Sequence, residues 1–285
     1  MEPDVIATLL ILSSAMMHAI SASLYRRPGD RLVRMVISSI LSLLFMLPVT
    51  FFVPFPPSEV WWLLIPSAVI ITVYQFVVIK ALQYGELSYT YPISRGTAPV
   101  FVVLITILLL SHEIAWAEVL GVSLVAVGVL ELALRGIKGG GALIDIKKAT
   151  FYSLLSGLTI ASYTLIDAQG VRLVANPFSY IAWLFILINV IMVTIVFYIR
   201  GGEIGKILWS ERKHGLAAGV FGIASYVMAL LALRVGNAVE IAALRETSIM
   251  FAILIGYFFL GEGIGIRRLI TVALITMGAI TIKMF

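Results

Sequence analysis

The chain has 285 residues, 61% of them hydrophobic and 12% charged, with a mean hydropathy of +1.08 and a formal net charge of +5. A soluble domain is about half apolar and about a quarter charged, so a water-soluble fold is excluded. Cysteine is absent, which removes disulfides, thiolate metal sites and a cysteine nucleophile, and the basic excess falls in short segments between apolar runs, the pattern of a membrane topology signal rather than of a nucleic-acid surface.

Met1 to Asp4 carry two acids and no Lys or Arg, so the basic start of a cleaved signal peptide is missing and the first apolar run is expected to be retained. A span needs about 20 apolar residues, and backbone polar groups in lipid must be satisfied internally, so the chain should be helical nearly throughout. Apolar runs between charged, Gly-rich or Pro-rich breaks predict helices over 4–25, 31–53, 59–84, 88–111, 115–135, 149–171, 177–199, 212–234, 238–260 and 266–285. The fold class is therefore all-α, a polytopic membrane protein with ten transmembrane helices. The longer polar connections, Arg26 to Arg34, Arg135 to Lys148 and Arg200 to Lys213, leave no room for a soluble domain.

Orientation follows from the cations. Arg26, Arg27, Arg31, Arg34, Lys80, Arg135, Lys138, Lys147, Lys148, Arg200, Lys206, Arg212, Lys213, Arg267 and Arg268 share one side of this ladder, against Arg172, Arg234 and Lys283 on the other. The 15-to-3 split places the first side in the cytoplasm and both termini outside. Arg95 and Arg245 fall inside spans, and Trp61, Trp62 and Trp116 fall at outer span ends, as an aromatic belt requires.

The two halves, 1–140 and 141–285, resemble each other. Ala81-Leu82-Gln83-Tyr84-Gly85 answers Ala232-Leu233-Arg234-Val235-Gly236, Arg95 answers Arg245, Glu113 answers Glu262 and Gly128 answers Gly278. Five spans per half is an odd number, so the second half enters the membrane upside down relative to the first. Inverted repeats with a midplane site at their interface are a common build for secondary transporters.

These residues resemble the drug/metabolite transporter superfamily, within it the ten-helix EamA-type carriers. Ala81 to Leu132 looks like that family's third to fifth helices, with Pro92-Ile93-Ser94-Arg95-Gly96 and Pro99 in the fourth span. Leu244-Arg245-Glu246-Thr247-Ser248 and Leu260-Gly261-Glu262 repeat the pattern in the second half. The resemblance covers essentially the whole chain. It implies a central cavity between the halves, peripheral fifth and tenth spans, and transport by alternating access; it does not name the substrate. Pro99 has no proline counterpart in the second repeat, where Ile249 stands, so gating need not be symmetric.

Ionisable groups within the bilayer are functional hypotheses by default. Ser88, Pro92, Arg95 and Pro99 share a face of the fourth helix, and the two prolines are the gating candidates, since a bend there would turn carbonyls to a cavity. Arg95 is read in two ways: its fork binds a substrate carboxylate or phosphate, or it snorkels from about 10 Å inside the cytoplasmic end. Glu246 cannot face Arg245 on one helix, so one of the two looks to another helix, substrate or water. Glu246 is a candidate proton or cation site, set against a structural interhelical pair. Ser14, His18, Ser21 and Tyr25 share a face of the first helix, and Ser156, Thr159, Tyr163, Asp167 and Gly170 one of the sixth. His18 is a candidate proton coupler or simply hydrogen-bonded; for Asp167 an interaction with Arg172 is expected.

Substrate contact is thus expected from Arg95, Arg245, Glu246, His18, Tyr74, Tyr91, Tyr163 and Tyr226, in a cavity suited to a compact amphipathic molecule. Gly121, Ser123, Ala126 and Gly128 in the fifth span, and Gly219, Gly222 and Ala224 in the eighth, fit close helix contact. No HExxH, P-loop or GxSxG motif occurs, so neither an enzyme nor a metal or cofactor is expected. The expected partners are a small-molecule substrate and membrane lipid, without nucleic acid, the chain acting as a monomer in a prokaryotic plasma membrane. The expected function is export or facilitated diffusion of small organic metabolites, amino-acid-like in character. The alternative is a proton-coupled exporter of drugs or quaternary ammonium cations.

Overall fold

The structure is a computed structural model, and it describes residues 3–25, 30–85, 87–109, 115–138, 145–200, 204–260 and 266–284. Eleven helices are found among them: α1 (Pro3–Tyr25), α2 (Arg31–Val49), α3 (Ser58–Tyr84), α4 (Leu87–Leu109), α5 (Trp116–Lys138), α6 (Ile146–Leu173), α7 (Pro177–Arg200), α8 (Ile204–Val235), α9 (Ala238–Arg245), α10 (Ser248–Leu260) and α11 (Ile266–Met284). Seven of these, α1 to α4 and α6 to α8, are long and apolar enough to cross a membrane whole. The ten expected spans are present, the ninth being divided into α9 and α10. Glu113, Glu262, His112 and the Gly139–Gly141 run lie outside the described residues.

Two boundaries differ instructively. The eighth span was expected over 212–234 and its apolar stretch is Glu211–Val235, but the helix that carries it, α8, begins earlier, at Ile204, with Glu211 inside it. Glu211 has a partner: Arg34 Nε lies 2.6 Å from its Oε2, and Arg34 is completely buried. Arg34, counted among the cytoplasmic loop cations, is thus a structural residue of α2, and it also bonds the Leu24 and Tyr25 carbonyls at the end of α1. The second difference is the ninth span. Glu246 and Thr247 bond three residues back, N–H to the Ala243 and Leu244 carbonyls at 3.1 Å each, and Ile249 N–H likewise takes Glu246 O at 3.0 Å. The Thr247 hydroxyl bonds the Leu244 carbonyl at 2.7 Å. Thr and Ser side chains compete for backbone acceptors, and a tight turn of this type in mid-helix is a common mark of a hinge.

The chain divides into two compact units, and each contains helices from both halves of the sequence. The first unit, 1–72 and 166–235, holds α1, α2, the start of α3, the end of α6, α7 and α8. In it the expected polar stripe of α1 is a packing face: Ser14 Oγ donates to the Ser225 carbonyl at 2.7 Å, Ser225 Oγ to that of Ser14 at 2.9 Å, and Ser21 Oγ to that of Ala218 at 2.9 Å. Gly215 and Gly219 bring α8 against Ile37 and Ser38 of α2. Phe55, Trp61 and Trp183 form an aromatic cluster with centroids 5.1–5.4 Å apart. At the end of α6, Arg234 bonds the carbonyls of Val171, Val174 and Ala175 and Arg172 that of Leu233, satisfying acceptors a helix C-terminus leaves open.

The second unit, 73–165 and 236–285, holds the rest of α3 and α6, with α4, α5 and α9 to α11. Here α5 and α11 meet through the repeat-related glycines: a Cβ at Gly278 would stand 2.6 Å from the Gly121 carbonyl, and one at Gly128 2.9 Å from Leu274 Cβ. Small residues at helix contacts and large apolar ones outward, such as Leu44, Leu108 and Phe258, are what a lipid solvent selects. Gly278→Ala should therefore destabilise the protein by about 1–3 kcal/mol, whereas Gly222→Ala, whose Cβ would meet only Ser21 Oγ at 3.4 Å, should be neutral. Thermal unfolding of the two variants in detergent checks this, and equal midpoints would contradict it.

Candidate functional site

The site forms where α4 passes the break between α9 and α10. Arg95 lies two turns inside α4, 2% exposed, and its Nη1 donates to Glu246 Oε1 at 3.3 Å; Glu246 is likewise 2% exposed. The pair joins the first half of the sequence to the second within one unit. Arg95 therefore does not snorkel to the interface, and Glu246 looks to a neighbouring helix, as its adjacency to Arg245 required. Arg245, on α9, is 8% exposed.

Position in α4 is set by its neighbours. Gly157 of α6 approaches so closely that a Cβ there would collide with Thr97 Oγ1 and stand 3.0 Å from the Ser94 carbonyl. Ser94 and Ser156 share a hydrogen bond of 2.5 Å beside it, and Tyr89 shares one of 2.6 Å with Thr150. As expected for the span over 88–111, α4 runs through both Pro92 and Pro99, and the interruption of a span among the described residues falls at Glu246–Thr247. A proline removes one bond without ending a helix whose neighbours hold it. Pro99 does take away the N–H that would bond the Arg95 carbonyl in a regular helix.

Aromatic groups gather on the same guanidinium. The Tyr91 ring centroid is 5.5 Å from Arg95 Cζ, a cation–π distance. Tyr74 and Tyr163, in the same unit, meet edge to face with centroids 5.9 Å apart. Two acceptors complete the site: Glu246 Oε2 and Ser248 Oγ are buried and have no hydrogen-bond partner among the described atoms. Chemically the arrangement offers a guanidinium for an anion and oxygen acceptors at the start of α10 for a donor.

Six of the eight residues expected to touch substrate belong to this unit: Arg95, Arg245, Glu246, Tyr74, Tyr91 and Tyr163. His18 and Tyr226 belong to the other. His18 lies between Ser14 and Ser21 on the packing face of α1, and Tyr226 donates to Asp167 Oδ2. Asp167 is fully buried and also accepts from Ser67 Oγ at 2.5 Å and Tyr180 OH at 2.8 Å. Sequence reasoning assigned Asp167 to Arg172 and passed over Ser67 and Tyr180. The available signal was an acid placed in mid-stripe with Gly170 three residues on, where a Cβ would collide with the Tyr180 ring.

If the pair is a unit, Arg95→Ala and Glu246→Ala should each destabilise the protein by about 3–5 kcal/mol, because each leaves a buried charge uncompensated, and the double variant by less than their sum. Unfolding midpoints of the three variants measure the coupling; additive losses would show that the two charges do not interact.

The geometry has counterparts among known proteins. The model of the EamA-like transporter family matches residues 5–134 and 147–284. No curated protein matches the sequence. One of 29 matching solved chains, titled only "Crystal structure of protein", is 15% identical, with 96% of each chain covered and a TM-score of 0.77. That likeness concerns the fold alone.

Proposed function

The chain belongs to the EamA-like transporter family, membrane transporters of small molecules, and on that premise we propose that it is a secondary transporter, an exporter or facilitator, of amino-acid-like metabolites working by alternating access. The observation that carries the reading is the buried Arg95–Glu246 pair at the break in the ninth span. A zwitterion presents a carboxylate, which matches the Arg95 fork, and an ammonium, which suits Glu246 Oε2 and Ser248 Oγ. Discontinuous spans at the repeat interface are a recurrent way for transporters to bring backbone and charge to a substrate. In this reading the repeats are 1–140 and 141–285, and the tight turn at Glu246–Thr247 supplies the flexible element. The drug or quaternary-ammonium alternative is weaker, because the carboxylate it would use faces a guanidinium.

Counterflow of labelled amino acids into proteoliposomes tests this. The wild type is expected to exchange at least one zwitterionic amino acid, and Arg95→Lys, which keeps the charge beside Glu246 but loses the fork, to lose about tenfold or more in affinity. Counterflow confined to quaternary ammonium cations, or unchanged kinetics in Arg95→Lys, would overturn the assignment.

The cation distribution supports a plasma-membrane topology with both termini outside. The cysteine-free chain makes the check direct. Glu2→Cys should react with an impermeant maleimide from outside intact cells and Gly140→Cys only after permeabilisation; labelling of both from one side would refute the five-span repeat.

A further inference from the structure

We infer that Asp167 is a proton-binding site of this transporter, a carboxyl that takes up and returns one proton within a cage of hydroxyls from Ser67, Tyr180 and Tyr226. The inference goes beyond the substrate reading and concerns a second buried carboxyl, in the other unit. Four helices of the first unit converge on it: Asp167 from α6, Ser67 from α3, Tyr180 from α7 and Tyr226 from α8. Asp167 is fully buried, Ser67 Oγ and Tyr180 OH donate to Oδ1 at 2.5 and 2.8 Å, and Tyr226 OH donates to Oδ2.

The partners decide the chemistry. An arginine has only donors and can serve a carboxylate but not a carboxylic acid. A hydroxyl donates or accepts, so the same cage holds Asp167 in both charge states. On protonation a proton from the aqueous phase bonds to Asp167 Oδ1, whose new O–H donates to Ser67 Oγ. The Ser67 hydrogen then turns to the carbonyl of Leu63, four residues back on α3, and the Tyr180 and Tyr226 bonds are kept. Helical Ser and Thr residues of this protein already make that bond, Thr72 to Ala68 at 2.8 Å and Ser153 to Ala149 at 2.7 Å. The charged groups nearest along α6 and on α8, Arg172 and Arg234, donate to main-chain carbonyls at the end of α6 and the Leu233 carbonyl. Titratable groups bonded to the carboxyl include Tyr180 and Tyr226.

Infrared difference spectra of the full chain in proteoliposomes, recorded between alkaline and acid pH without any substrate, test the assignment. The wild type is expected to show a protonated-carboxyl C=O band that rises as pH falls, with an accompanying change in tyrosine ring bands. Asp167→Asn should lack that band, and Tyr226→Phe, which removes one donor from the ionised form, should displace its midpoint by about one pH unit or more. A band that persists in Asp167→Asn, a midpoint unmoved in Tyr226→Phe, or a band abolished by exchanging potassium for sodium at constant pH would overturn it. If Asp167→Asn does not fold, Tyr226→Phe and Ser67→Ala decide alone, an unchanged band in both overturning the site. Because the readout is protonation, it fails or succeeds independently of amino-acid counterflow.

Discussion

The structure rests on one constraint: hydrocarbon offers no hydrogen bonds, so every polar group inside it must find a partner in the protein. Helices answer this for the backbone. For side chains the answer is visible residue by residue. Hydroxyls of Ser14, Ser21 and Ser225 bond carbonyls across α1 and α8, and Thr72, Thr97 and Ser153 bond their own helices. The arginines follow the same rule, Arg34 and Arg95 going to carboxylates and Arg172 and Arg234 to helix-end carbonyls.

Against that background the break in the ninth span is the departure that matters. Glu246 and Thr247 tighten the helix there by bonding three residues back, and that is where a buried ion pair is found. A buried pair is weak evidence for stability, because desolvation offsets its Coulomb gain. The pair sits beside the tight turn that divides the ninth span.

The two buried carboxylates divide along chemical lines. Glu246 is held by a guanidinium that cannot give up its charge, and its other oxygen is buried without a hydrogen-bond partner among the described atoms. Asp167 is held by hydroxyls that can reverse. One arrangement suits a fixed charge facing a substrate, the other a charge that comes and goes.

Composition and apolar periodicity determined the membrane, the helices, their number and the doubling, because burial in lipid imposes one local rule on every stretch of chain. Arg95, Arg245 and Glu246 stood out by the same rule: a charge in an apolar run is costly wherever it is placed. What the chain alone left open was pairing. Asp167 was read with Arg172, close in sequence, although its hydroxyls come from α3, α7 and α8. The ninth span was read as one helix over 238–260, yet it divides at Glu246-Thr247, while α4 runs on through Pro92 and Pro99. Partners distant in the chain are chosen by which helices lie side by side, and that is a property of the assembled fold, not of any local run of residues.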